Sequence, residues 1–160
     1  SGDRGVGKTT MSKYLSMKTD RMTIFIPNNM IDMTVNNPEF RNFLIKFEKV
    51  LIIIDDCEVI FHNQFAKTSN FSNNINQLVD GFLAETLNIQ ILLIFNDDEN
   101  IDDVIDSNSF IEDIYFDHLE PELATELSKN IGFNKKYKNP IKLIDVIKNN
   151  KNEKNDKIGL

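Results

Sequence analysis

Apolar residues in this chain fall into two kinds of run. Met22-Thr23-Ile24-Phe25-Ile26, Val50-Leu51-Ile52-Ile53-Ile54 and Ile89 to Phe95 are short blocks of strand-forming residues, and Pro27 closes the first. The second block is β-branched except for Leu51, and the third is apolar except for Gln90. A run with no polar alternation suits a strand buried on both faces, as in a parallel sheet. Between these blocks apolar residues recur at helical spacing. Lys8 to Lys18 carries Met11, Tyr14 and Leu15. Pro38 opens a helix of about three turns with Phe40, Phe43, Leu44 and Phe47 as its stripe. Ile75 to Leu87 turns Leu78, Phe82 and Leu83 inward, after a polar loop from Thr68 to Asn74. Ile114-Tyr115-Phe116 is a further strand candidate. Glu120 to Ile131 reads as a helix with Pro121 in its first turn and Gly132 as its stop, and Pro140 to Ile147 as another. From Asn149 the chain is mainly Asn and Lys, which predicts disorder.

Strands alternating with helices predict an α/β fold with a parallel sheet flanked by helices. The expected division is an α/β core over 1–118, a small helical lid over 119–148 and a tail over 149–160. At 160 residues and 41% hydrophobic, the chain can build one packed core. Its net charge of -7 argues against a general nucleic-acid or anionic-membrane surface. No apolar run approaches a membrane span. Cys57 is the only cysteine, which excludes a disulfide framework and a cysteine cluster for zinc. His62 and His118 have no ligand-spaced partners.

The chemistry is concentrated at the start. Gly2-Asp3-Arg4-Gly5-Val6-Gly7-Lys8-Thr9 fits G-x-x-x-x-G-K-[ST], the phosphate-binding P-loop. Glycines let the backbone curl so that successive N–H groups point at phosphate oxygens. Gly2, Asp3, Gly5, Val6, Gly7, Lys8, Thr9 and Thr10 are therefore the expected nucleotide-binding residues, with Lys8 at the β/γ-phosphates and the Thr9 hydroxyl on Mg²⁺. The helix that follows adds the positive end of its dipole. A P-loop ordinarily follows a buried strand, and only Ser1 precedes this one. The expectation is a fragment of a longer protein whose first strand is missing.

A second acidic element supports the first. Lys49-Val50-Leu51-Ile52-Ile53-Ile54-Asp55-Asp56-Cys57-Glu58 is an apolar strand ending in carboxylates, as in a Walker B element. Ligands in open α/β sheets bind at the C-terminal ends of strands. Asp55 is the expected Mg²⁺ residue, and Asp56 the expected orienter of an attacking water, with Glu58 a further contributor. With these segments in order, the chain resembles the AAA+ ATPases from Gly2 to about Ile147. Ile75-Asn76-Gln77-Leu78-Val79-Asp80-Gly81 resembles the L-L-N-x-x-D-G helix of the subgroup that includes the mitochondrial Rieske-protein translocases and related phage ATPases. Leu92-Leu93-Ile94-Phe95-Asn96 is similar to the strand that ends in the sensor-1 residue, and Ile101-Asp102 matches the I-D after it. Tyr115-Phe116 and Leu119 resemble the strand leading to the lid. Asn96, a neutral amide, suits a hydrogen bond to the γ-phosphate or to the water.

The resemblance implies ATP and Mg²⁺ as cofactors, a ring-forming homo- or hetero-oligomer, an intracellular setting and remodelling of a macromolecule such as a protein. Two departures bear on turnover. The family usually has Glu where Asp56 stands, and the two arginines of its I-D-P-A-L-x-R-x-G-R pattern fall on Ser107 and Phe110. An arginine finger is worth ~10³–10⁵ in rate. The expected function is ATP binding with hydrolysis that is weak or depends on a partner's arginines. The alternatives are a degenerate regulatory subunit and a P-loop small-molecule kinase. The kinase predicts an Arg-rich lid, whereas Glu120 to Ile147 contains Lys but no Arg.

Overall fold

The computed structural model describes residues 1–58, 78, 87–96 and 112–156, with 150–156 described by backbone alone. It is an α/β structure with three parallel strands and, among the described residues, five α-helices. Contacts group the chain into two compact units: Ser1 with Thr9–Ile114, and Gly2–Lys8 with Tyr115–Leu160.

The first unit holds the sheet. Strands β1 (Met22–Ile26), β2 (Val50–Ile54) and β3 (Ile89–Leu93) lie side by side in that order. Their register is flush, with Ile26 opposite Ile54 and Ile54 opposite Leu93. All five residues of β2 are buried, as its unbroken apolar pattern predicts. Burying an Ile, Leu or Val side chain contributes ~1.5–3 kcal/mol, so β2 is the main anchor of this unit. Alternation along the strand splits the core in two. Val50, Ile52 and Ile54 join Ile26, Ile31, Val35, Leu44, Leu78, Leu87 and Phe95 in one cluster, whereas Leu51 and Ile53 join Ile94 in another.

Helix α1 spans Lys8–Lys18, the limits its sequence predicts, but its apolar stripe faces out. Met11, Tyr14 and Leu15 are exposed, and the buried positions are the polar pair Lys8 and Ser12, one helical turn apart. After β1, a 3₁₀ turn (Asn28–Met30) leads into α2 (Ile31–Val35), a helix too short to show apolar periodicity in the sequence. Its two inward residues, Ile31 and Val35, are both buried. Helix α3 (Pro38–Leu44) is capped by Asn37, whose side chain accepts from the Glu39 N–H, and has Pro38 in its first turn. It is shorter than predicted. It ends before Phe47, which nevertheless packs against the core. The predicted Ile75 to Leu87 helix lies outside the described residues except at Leu78 and Leu87, both helical and buried. The loop over Thr68 to Asn74 and the segment Ile101 to Phe110 also lie outside them.

In the second unit, α4 (Pro121–Asn130) ends in a glycine-dependent stop. Gly132 has φ 86° and donates to the Lys129 carbonyl, and the Phe133 N–H returns to Ser128 at 2.7 Å, a Schellman closure. Helix α5 (Leu143–Asp156) starts after the predicted point and continues to Asp156. Over 150–156 the backbone is helical. The predicted strand Ile114 to Phe116 reduces to one parallel bridge from Phe116 to Gly2, and Leu119 pairs with Ile141 by a second bridge. No helix among the described residues is long and apolar enough to cross a membrane.

Candidate functional site

The flush register sets what lies beyond the strand ends. Asn28, Asp55, Asp56 and Asn96 all follow within a few residues of the C-terminal ends of β1, β2 and β3, at the edge where α/β sheets gather ligands. Asp55 accepts on both oxygens: from the Thr9 hydroxyl at 2.8 Å on Oδ2, and from the Asp56 N–H at 3.0 Å on Oδ1. The chain separation of Thr9 and Asp55 is 46 residues. Thr9 and Thr10 are exposed in the first turn of α1.

Past Asp55 the strand geometry stops. Asp56 has φ 56°, in the left-handed region that Asp adopts more readily than most side chains. Its carbonyl accepts from the Asn28 amide at 3.2 Å. This reversal, rather than continued strand alternation, brings Glu58 back towards β3. The Ile94 N–H donates to the Ile54 carbonyl and the Cys57 N–H to the Ile94 carbonyl, each at 3.0 Å, which fixes the two segments together. Glu58 is buried. Its Oε1 accepts from the Asn96 side-chain amide at 2.7 Å, and its Oε2 from the Asn96 backbone N–H at 3.2 Å. The same Asn96 amide also donates to Oδ1 of Asp56. One neutral amide thus ties two carboxylates of like charge, a role for which a cation is not required. Cys57, between them, is buried, and desolvation with the nearby carboxylates pushes its thiol up to about 12. It therefore stays a neutral packing residue rather than a nucleophile.

The second unit carries the glycine-rich loop. Gly2, Gly5 and Gly7 all have positive φ, 132°, 88° and 116°. At all three an added Cβ would meet a neighbour within 3.0 Å, most severely at Gly2 and Gly5. A Cβ on Gly2 would sit 2.2 Å from the Phe116 carbonyl oxygen, and one on Gly5 2.5 Å from Cγ2 of Ile144. Val6 is buried, while Asp3 and Arg4 are exposed. The Lys8 ammonium, itself buried, donates to the carbonyls of Gly2 and Asp3, the latter at 2.6 Å. The Asp3 carboxylate lies 2.8 Å from the Lys142 ammonium and 4.0 Å from Nε2 of His118. The Lys142 contact, foremost, holds the Asp3 carboxyl below its ordinary range.

Within the first unit, the structure therefore brings Thr9 to Asp55, and Asn96 to Asp56 and Glu58. Asn28, at Asp56, and Lys142, at Asp3, belong to no motif. Asn28 follows directly on Pro27 at the end of β1, and the rule that neighbouring parallel strands share an edge would have picked it out. Lys142 has no sequence signal. The residue set fits a magnesium ion of the kind that keeps one carboxylate, a hydroxyl, phosphate oxygens and water as ligands. Among the described residues there is no group of three or more His, Cys, Asp or Glu side chains that would form an all-protein metal cage. No protein-family model matches the chain, and no curated protein matches it.

Proposed function

We infer that this chain is an AAA+-type ATP-binding module whose hydrolysis is weak or depends on arginines from a neighbouring subunit. The observation that carries the reading is the 2.8 Å hydrogen bond from Thr9 to Asp55. The hydroxyl of a G-x-x-x-x-G-K-T motif meets the carboxylate at the end of a buried apolar strand, the pair that holds Mg²⁺ in P-loop nucleotide sites. The enclosed, positive-φ glycines support it independently, because the loop adopts backbone that side chains resist.

In this reading Gly2, Asp3, Gly5, Val6, Gly7, Lys8, Thr9 and Thr10 bind ATP, with backbone N–H groups and the Lys8 ammonium on the phosphates. Lys8 exchanges its carbonyl partners for phosphate oxygens. Thr9 and Asp55 hold Mg²⁺, which would neutralise charge on the transferred phosphoryl group. Asp56 orients the attacking water, and Asn96 fixes the Asp56 and Glu58 carboxylates relative to each other. Ser107 and Phe110, where the family carries arginines, supply no guanidinium to a neighbour. Assembly into a ring and remodelling of a protein follow from the same family reading.

A second reading, a regulatory subunit that binds ATP without turnover, is favoured by one observation. Both Glu58 oxygens accept from Asn96, so Glu58 has little freedom to serve as the base in place of the shorter Asp56. Single-turnover hydrolysis of radiolabelled ATP separates the two. The ATPase reading expects slow product formation that accelerates when a partner subunit supplies arginines. No product under either condition selects the regulatory subunit.

A further inference from the structure

Asp3 is held at both ends. Its carbonyl accepts from the Lys8 ammonium at 2.6 Å, and its carboxylate lies 2.8 Å from the Lys142 ammonium, in the residue just before α5. Beside it, the first-turn N–H of Ile144 donates to the Gly5 carbonyl at 2.9 Å, which satisfies one of the amides a helix N-terminus leaves open. The Ile144 side chain fills the space a Cβ on Gly5 would need, and the Leu143 side chain lies 2.9 Å from where a Cβ on Gly7 would stand. All these contacts lie within the second unit. They favour a loop in which the lysine meant for phosphate is turned onto the loop's own carbonyls.

We propose that the start of α5 is an internal latch on the P-loop: Lys142 and the Ile144 amide hold Asp3 and Gly5 in a self-satisfied conformation that competes with bound polyphosphate. The inference rests on the nucleotide-binding reading. Lys142 pins the Asp3 side chain, Asp3 keeps its carbonyl on Lys8, and phosphate gains Lys8 only when that arrangement opens. His118 and Asp117 also face this corner, since His118 lies near Asp3 on one side and 3.1 Å from Oδ1 of Asp117 on the other. Among the described residues, Lys142 is the cation nearest the Asp3 carboxylate.

The test compares Lys142→Met, Asp3→Asn and the double variant by calorimetric titration with Mg·ADP. The latch expects both single variants to bind about threefold more tightly, the scale of one exposed ion pair, and the double variant no more tightly than either. If Lys142 is merely a cation near the phosphates, Lys142→Met binds more weakly while Asp3→Asn binds more tightly, and the latch is overturned. Unchanged affinity in both overturns it too. A readout without nucleotide runs alongside: hydrogen exchange at the Ile144 amide should be severalfold faster in both single variants, and equal protection contradicts the latch. Lys8→Ala keeps the two readings apart. If Lys8→Ala leaves Mg·ADP affinity unaltered, the nucleotide site fails, and the exchange rates still decide the latch.

Discussion

Asn96 grips Glu58 at both carboxylate oxygens, with its backbone N–H on Oε2 and its side-chain amide on Oε1. Glu58 is buried, so donors lost there are not replaced freely by water. Asn96→Ala should lower stability by about 1–3 kcal/mol in urea unfolding. Glu58→Gln keeps the shape and removes the charge, so combining the two should give a loss well short of additive. Full additivity would mean that the two side chains do not act on each other.

The loop glycines give a graded prediction. Gly2→Ala places a methyl group against the Phe116 carbonyl, at a backbone angle that side chains rarely adopt. Gly132→Ala meets the same angular strain but has nothing within 4 Å. Gly132→Ala should cost about 1 kcal/mol in thermal or urea unfolding, and Gly2→Ala distinctly more. Equal losses would mean that the Gly2 loop relaxes without resistance.

The three strands were legible as blocks of mainly apolar residues, two of them with a clear stop, Pro27 after β1 and Asp55 after β2, whereas β3 ends at Leu93, short of the predicted Phe95. The acidic strand end was legible because burial of β2 on both faces leaves only the residues beyond Ile54 free to be polar. Periodicity failed where a helix was too short to show it. In α2 the whole signal is Ile31 and Val35, one turn apart. In α1 periodicity located the helix at Lys8–Lys18 without revealing that the buried side carries Lys8 and Ser12 rather than the apolar stripe. The Asp56 reversal was invisible because Asp in the left-handed region reads like any other Asp. The pairings of Asn28 with Asp56 and of Lys142 with Asp3 join residues distant in sequence, which no local pattern encodes.

Stability at alkaline pH should depend on Cys57. Its thiol is raised from 9.0 to about 12 by burial, so the folded state keeps a proton that the unfolded chain gives up. That contribution is fully present below pH 9.0 and is lost as pH rises towards about 12, with a slope approaching about 1.4 kcal/mol per pH unit. Urea midpoints measured from pH 8 upward should fall less steeply for Cys57→Ala than for the parent chain. Parallel curves would show that the thiol ionises as easily folded as unfolded.

Asp56→Asn should leave the fold in place, because Asn tolerates the left-handed region as well as Asp does. On the proposed reading it should abolish whatever single-turnover hydrolysis the parent shows while leaving ATP affinity within about twofold, since the group would act on water rather than on phosphate. Retained hydrolysis would move the water-orienting role away from Asp56.

The measurement closest to the central claim is calorimetric titration of Mg·ATP into the parent chain, Lys8→Ala and Asp55→Asn. Lys8→Ala removes the proposed phosphate cation and should weaken binding at least about tenfold, roughly 1.4 kcal/mol. The parent should bind ATP more tightly with Mg²⁺ than without, and Asp55→Asn should abolish that gain, because Thr9 then lacks its carboxylate partner. Affinity that is the same in Lys8→Ala as in the parent would contradict the assignment of Gly2 to Thr9 as a nucleotide-binding loop.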